Sequence, residues 1–438
     1  MTASPYQSYR SSEVRGLEQI PAHWEEERAK HFFRPVDERS ETGEEQLLSV
    51  AENRGVELRD DEKVNMRKAE SYEGYKLCQP GDLVINSMWA WKRGLGISNY
   101  SGIISTAYSV FRLRDSSLFE EKYLDWLLRT DLYVGEYLCR SQGVWKSRLT
   151  LSDREFLDIP IIRPPIEEQR AIVHEIGDTL DDIEAYIAKK RDLIDLLETQ
   201  RRAVTNRAVT QGLDDGMEMT DSGVEWLGEI PAQWEQIRLK YLTEEIIDAE
   251  HKTAPAHSDG DYLVVRTSNI RDGRLVLDDA YYTNEEGFRE WTQRGVPQPG
   301  DILFTREAPA GEACLVPEDV PLCLGQRVVC IRVDAEKLDA SFAMRILNSN
   351  LTDEFIRVSS RGATVDHFNM SDIGKIPFLV PPLEEQKRIV DHIDERTSEI
   401  DDAIDQAERQ IELMEQYRTS LVAEVVTGQV NVRDAVAV

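Results

Sequence analysis

The chain has 438 residues, 41% of them hydrophobic, with 52 basic and 82 acidic side chains for a net charge of −30. That length allows two or three domains with ordinary cores, and the composition is globular rather than disordered. No run of eighteen apolar residues is present, so no membrane span is expected. The opening stretch MTASPYQSYRSSEVRG lacks the apolar segment of a signal peptide. Taken alone, the acidity argues against nucleic-acid binding, because phosphates would be repelled. It leaves two readings: avoidance of nucleic acid, or acid spread over solvent-facing surface with local basic patches. Arginine outnumbers lysine beside the acidic excess, which fits a chain kept soluble at high salt, as in a halophilic host. Cys78, Cys139, Cys314, Cys323 and Cys330 form no CxxC pair. They read as reduced core thiols in a cytoplasm, not as a disulfide framework or zinc site.

Taken in chain order, the first segment opens with GLEQIPAHWEEERAKHF from Gly16. QPGDLVIN from Gln79 follows, and DLVINSMWAW and TAYSVFRL read as strands. FEEKYLDWLLRTDLYVGEYLC from Phe119 has helical apolar spacing. Then RPPIEEQRAIVHEI, from Arg163, starts a long amphipathic run. Pro164 and Pro165 suit a helix start, and Glu167 and Glu168 favour its positive N-terminal end. Apolar residues recur at heptad-like spacing through Ile176, Leu180, Ile183, Ile187, Ile194 and Leu197, so a coiled coil is predicted, ending near Gly212.

The same order then repeats. GVEWLGEIPAQWEQIRLKYL from Gly223 echoes the first opening, and QPGDILFT from Gln298 echoes QPGDLVIN. DYLVVR, DILFT and RVVCIRV read as strands, and LDASFAMRILNSNLTDEFIRVS from Leu338 as a helix. VPPLEEQKRIVDHI begins at Val380, with Pro382 standing 217 residues after Pro165. Its seam runs through Ile393, Ile400, Ile404, Ile411, Met414 and Leu421, and continues to Val425 before Gly428. Each helix covers about 45 residues, roughly 70 Å at 1.5 Å per residue. Lys190, Arg201 and Arg418 interrupt the seams. They either fix register at some cost in stability or face a partner protein.

No phosphate-binding loop, HExxH, GxSxG elbow or Asn-Pro-Pro-aromatic tetrad occurs. Asp366 with His367 could be an acid–base pair or simply structural. The chain therefore reads as a binding and scaffolding protein. Two groups combine cations, aromatics and amides. The first is Trp89, Trp91, Lys92 and Arg93 with Arg140, Gln142, Lys146 and Arg148. The second is Arg306, Gln326, Arg327, Arg361, Thr364 and His367. Arginine can fork onto guanine, amides onto adenine, and lysine onto phosphate. Trp89 and Trp91 could equally be the two faces of a strand.

Together, the doubled PPxEEQ motif, the two seams and the two divergent heads resemble the specificity subunit of type I restriction–modification systems, over almost the full length. The resemblance implies an α+β fold, a tandem pseudo-repeat of two mixed α/β target-recognition domains joined by two long helices in an antiparallel coiled coil. The implied division is residues 1–163 for the first recognition domain, 164–213 for the first helix, 214–380 for the second domain, 381–430 for the second helix and 431–438 for a tail. Each domain would read one half of a split site in double-stranded DNA, with helix length setting the unread spacer. Two modification (methyltransferase) subunits would methylate adenine N6 from S-adenosylmethionine. Restriction subunits would add ATP- and Mg-dependent translocation and cleavage. This chain would hold no cofactor or metal and catalyse nothing. The competing reading is a coiled-coil adaptor with no DNA sequence preference.

Overall fold

The computed structural model describes residues 6–52, 54–59, 71–143, 149–214, 216–250, 252, 254, 257, 260–307, 309–359 and 368–431. Among them no helix is long and apolar enough to cross a membrane. Two compact units emerge. One combines residues 1–191 with 409–438, and the other is residues 192–408, so each unit takes part of both long helices.

In the first unit, Tyr9–Ser11 pairs with Gln19–Pro21, and Glu25–Arg28 pairs with Pro160–Arg163. An antiparallel four-stranded sheet follows in the order Phe33–Val36, Tyr108–Leu113, Leu83–Asn86, Leu95–Ile97. Its Leu83, Ile85 and Phe111 enter one core with Tyr123, Leu127, Tyr133 and Tyr137 from two helices. In the second unit Met219–Asp221 pairs with Glu229–Pro231, and Glu235–Arg238 with Pro377–Val380. The four-stranded sheet runs Thr243–Asp248, Val328–Val333, Ile302–Arg306, Ala310–Leu315. The pairing order is that of the first unit. The second unit adds a three-stranded sheet in which Tyr262–Val265 lies antiparallel to Tyr282–Thr283 and parallel to Leu322–Leu324.

The helical stretches from Phe119 and Leu338, each read as one helix, are both broken. The segments are Glu121–Leu128 and Asp131–Arg140, and Ala340–Leu347 and Asn350–Ser359. Hydroxyls explain the breaks. Thr130 Oγ1 donates to the Leu127 carbonyl at 2.8 Å and Ser349 Oγ to the Ile346 carbonyl at 2.6 Å, beside the amides of the same two residues at 3.2 and 3.0 Å, so tight i to i+3 bonds close the first segments. The strand expected over DLVINSMWAW stops at Asn86, and residues Ala90–Lys92 form a 3₁₀ turn. The thiol expectation needs one correction, since Cys139 is exposed while the other four cysteines are buried. Burial pushes the Cys78 thiol up to about 11 and those of Cys314 and Cys323 up to about 12, which keeps them protonated and unreactive.

The long helices span Ile166–Gln211 and Leu383–Val426. The PPxEEQ motif anchors each to its head through a fully buried glutamine. Gln169 Oε1 accepts from the Glu120 amide at 2.9 Å, and its Nε2 donates to the Leu118 and Pro164 carbonyls at 3.0 and 2.9 Å. Gln386 makes the matching set: the Asp339 amide at 2.8 Å and the Lys337 and Pro381 carbonyls at 3.0 and 2.9 Å. Glu120 and Asp339 are the residues from which the first head helices start, so one amide ties a long helix to a head helix. The preceding glutamate reaches the IPAxW turn, Glu168 to His23 at 2.8 Å and Glu385 to the Trp234 indole N–H at 3.2 Å.

The same turn closes the far helix ends. Gly428 has φ +73, and a Cβ there would stand 2.5 Å from Pro21 and 3.0 Å from Trp24. Gly212 has φ +74, and its Cβ would stand 2.9 Å from Met217 and 3.1 Å from Trp234. Only glycine fits a left-handed residue that tightly packed.

The seam residues Ile176, Leu180, Ile183, Ile187, Ile393, Ile400 and Leu421 are buried, while Ile194, Leu197, Ile404, Ile411 and Met414 are half-buried. Within the first unit Tyr186 bonds Gln410 at 3.0 Å and Arg418 approaches Glu184 at 3.8 Å. Within the second, Arg201 pairs with Asp401 at 3.0 Å and with Asp272 at 2.9 Å. Lys190 lies 5.4 Å from the Tyr186 ring centroid. Each polar interruption thus has a contact inside its own unit.

Replacing Gln169 or Gln386 by Ala strands buried backbone groups, at about 1–3 kcal/mol for each group left unsatisfied. Each variant is expected to lower the urea midpoint with an unchanged slope. An unchanged midpoint in both would show that the anchor contributes nothing.

Candidate nucleic-acid interface

Each head presents a loop at the end of a strand that is locked from behind by one ion pair. In the first unit Asp82 is 1% exposed. It receives the Gln79 amide at 2.9 Å and a two-pronged contact from Arg112 at 2.7 and 2.8 Å. Asp301 repeats this with the Gln298 amide at 2.8 Å and Arg332 at 3.0 and 2.7 Å. These carboxylates raise the affinity of Arg112 and Arg332 for their protons. The QPGD motif therefore fixes the strands Leu83–Asn86 and Ile302–Arg306 against their neighbours.

Beyond Asn86 the first loop folds back on itself. Trp89 N–H donates to the Asn86 carbonyl at 2.9 Å, Gly94 N–H to the Trp89 carbonyl at 2.9 Å, and Asn86 N–H to the Gly94 carbonyl at 2.8 Å. A Cβ on Gly94 would lie 2.8 Å from the Trp89 carbonyl, so this crossing requires glycine. The loop holds Met88 and Trp89 out, each 49% exposed. Trp91 is half-buried, with its indole N–H on the Met88 carbonyl at 2.9 Å and the exposed Lys92 ammonium 5.3 Å from its ring centroid. Exposed Gln142 arrives beside the loop, because it bridges Thr150 and the Leu151 amide donates to the Ser87 carbonyl at 2.9 Å.

Two cations from the first group are already paired within their unit. Arg93, left-handed at φ 57, donates to the Arg129 carbonyl at 3.1 Å and pairs with Asp131. Arg140 donates at 2.7 Å to Glu136, a fully buried carboxylate that also accepts the Arg15 amide at 2.8 Å. Lys146 and Arg148 lie outside the described residues.

In the second unit Arg306 is 5% exposed and its guanidinium is 3.7 Å from Asp248. Its backbone bonds Arg327 and Phe368, so it serves as an internal brace between loops. Half-buried Gln326 and exposed Arg327 sit on the turn between Leu322–Leu324 and Val328–Val333. Arg327 is steadied by Glu307 at 3.1 Å. Arg361, Thr364 and His367, with Asp366, fall outside the described residues. A cleft of about 340 Å³ joins Gln326 and Arg327 to Arg266, Thr267, Ser268 and Tyr281. The sequence reading passed over these four. The signal was the Arg-Thr-Ser run ending the DYLVV strand, which becomes meaningful only once that strand is known to lie parallel to Leu322–Leu324. Among the described residues no group of His, Cys, Asp and Glu could hold a metal ion.

The chain, with two braced, loop-bearing heads on long helices, is similar to several known proteins. Residues 231–413 match the family described as the type I restriction modification DNA specificity domain. A Methanocaldococcus jannaschii chain named for the type I restriction enzyme MjaX specificity subunit is 25% identical over 319 residues, 72% of this chain and 69% of that one. The type I restriction enzyme StySPI specificity subunit of Salmonella potsdam is 20% identical over 363 residues, 80% of this chain and 75% of that one. A structure described as the basis of complex assembly and conformational transition of the type I R-M system aligns with TM-score 0.64 at 16% identity. It covers 94% of this chain and 99% of the other, and shows a shared fold. These matches make the chain similar to the specificity subunits of type I restriction–modification systems.

Removing a buried carboxylate leaves its arginine uncompensated, at about 3–5 kcal/mol for a fully buried pair. Arg332 is partly exposed, so Asp301→Ala is expected to cost less than that, about 2–3 kcal/mol in a urea titration. A loss below about 0.5 kcal/mol would show that the strand is held by packing alone.

Proposed function

We propose that this chain is the DNA-reading, non-catalytic subunit of a type I restriction–modification complex, directing adenine N6 methylation to a split site. The observation that carries the reading is the pairing of one frame with two different loops. The glutamine anchor and the QPGD brace recur in both units, whereas the loops differ: one unit carries Trp89 and Lys92, the other Gln326 and Arg327. A repeated frame bearing unlike loops suits two half-sites of different sequence.

The net charge of −30 is compatible with this role. The Debye length is about 8 Å at physiological salt, so carboxylates farther than that from a loop are screened from it. Lys92 and the amides then set the local field, with the Arg327 charge balanced by Glu307. The long helices act as an antiparallel coiled-coil ruler built on a tandem duplication, a reading supported by the Tyr186–Gln410 and Arg201–Asp401 contacts. S-adenosylmethionine would be bound by the modification subunits, and ATP and Mg by the restriction subunits. Leu196 and Leu413, 67% and 56% exposed, occupy matching positions in the two repeats, one in each unit. Two equal apolar sites suit two copies of one partner, the modification subunit.

Deleting the gene from its host is expected to erase one split N6-methyladenine motif from the methylome. An unchanged methylome, with an expressed modification subunit, would sink the reading. Removing one heptad from both long helices shortens the ruler by about 10 Å, or about 3 base pairs. Any residual methylation is expected to keep both half-sites and shorten only the spacer, and altered half-site bases would contradict the ruler. Leu196→Glu with Leu413→Glu is expected to release the modification subunits in size-exclusion chromatography while leaving the melting temperature of the chain unchanged. An intact complex would place the partner elsewhere.

A further inference from the structure

The cleft of the second unit carries more detail than its two sequence-predicted residues. Its floor is apolar, made by Val264 and Ala254, and Tyr281 forms one wall. Tyr281 is fixed by its hydroxyl on the Ala254 carbonyl. Gly325 brings the Gln326 turn against the strand. Its N–H donates to the Val265 carbonyl at 2.8 Å, and a Cβ would stand 2.5 Å from that oxygen. Arg266 is exposed but oriented, with Nη2 on the Asp279 carbonyl at 2.6 Å and its guanidinium 5.7 Å from the Tyr281 ring centroid. Neither a carbonyl nor a ring face neutralises its charge. Thr267 and Ser268 add hydroxyls at the rim. Among the described residues no hydrogen bond employs the Gln326 side-chain amide.

Resting on the specificity reading above, we propose that this cleft is the base-reading element of the second unit and that it selects an A·T pair. The Gln326 amide offers a donor and an acceptor side by side, the pattern that matches adenine N6 and N7 in the major groove. The partly exposed Tyr281 ring suits the thymine methyl group. Ser268, whose hydroxyl can donate or accept, contributes to the neighbouring pair. Arg266 and Arg327 take the flanking phosphates, which position the duplex without discriminating sequence. The cleft thus divides labour between an amide that reads and two guanidinium groups that hold.

The test uses the full chain assembled with its modification subunit. Competition binding is measured against duplexes in which every base pair of the methylated motif is replaced in turn. Gln326→Ala is expected to lose on the order of tenfold discrimination at one A·T pair of a single half-site, with the other half-site unchanged. Ser268→Ala, at an exposed position, is expected to relax the adjacent pair and guards against a folding defect in the first variant. Arg266→Ala is expected to weaken all duplexes by a common factor and to flatten the salt dependence. Wild-type discrimination in both Gln326→Ala and Ser268→Ala overturns the proposal, as does a loss spread over both half-sites. A wild-type complex with no sequence preference would instead overturn the specificity reading itself.

Discussion

The structure depends on two buried side-chain amides. Gln169 and Gln386 each satisfy one backbone N–H and two carbonyls at the point where a strand, a head helix and a long helix meet. The prolines end the strand, the glutamine fills the corner, and the helix leaves in one direction only. A glutamate there would add a charge without a counterion, and a leucine would leave three polar groups unpaired. That combination explains why the same short motif is written twice while the heads around it diverge.

The heads keep their own constants for a similar reason. Asp82 with Arg112, and Asp301 with Arg332, brace the strand that leads into each loop. Once strand and helix are pinned, the loop beyond can change length and chemistry without disturbing the core. Behind the loops Phe111 packs against Phe156, and Phe304 against Phe368. The two heads share this frame and differ in their loops and in the added three-stranded sheet of the second unit.

Much of this was legible in the sequence, for identifiable reasons. The long helices announce themselves because their seams repeat over many turns, and the buried isoleucines fall where the spacing puts them. The strands read as DILFT, DYLVVR and RVVCIRV are all present because apolar runs bounded by turn residues leave few alternatives. The reading surface was less legible, because charge and amide content do not reveal direction. Arg306 was chosen beside Gln326 and Arg327, yet it points inward to Asp248, and Arg93 and Arg140 are spent on Asp131 and Glu136. Arg266 and Ser268 lie some sixty residues from Gln326 and become neighbours only through a parallel strand pairing. The helix breaks at Thr130 and Ser349 were missed because a hydroxyl that captures a carbonyl leaves the apolar spacing intact.

The unit boundaries carry a consequence for synthesis. Residues 192–408 are continuous, so that unit can close as soon as its own stretch has left the ribosome. The other unit cannot. Its Trp24 waits for Gly428, and its Tyr123 hydroxyl for the Val426 carbonyl, three hundred residues later. At about 5–20 residues per second, that delay lasts on the order of fifteen seconds to a minute. During it, Ile176, Leu180 and Ile183 lack the Leu421 and Val425 face that covers them in the finished fold. The nascent chain is thus expected to close the unit made of residues 192–408 before the one that holds its first-made head.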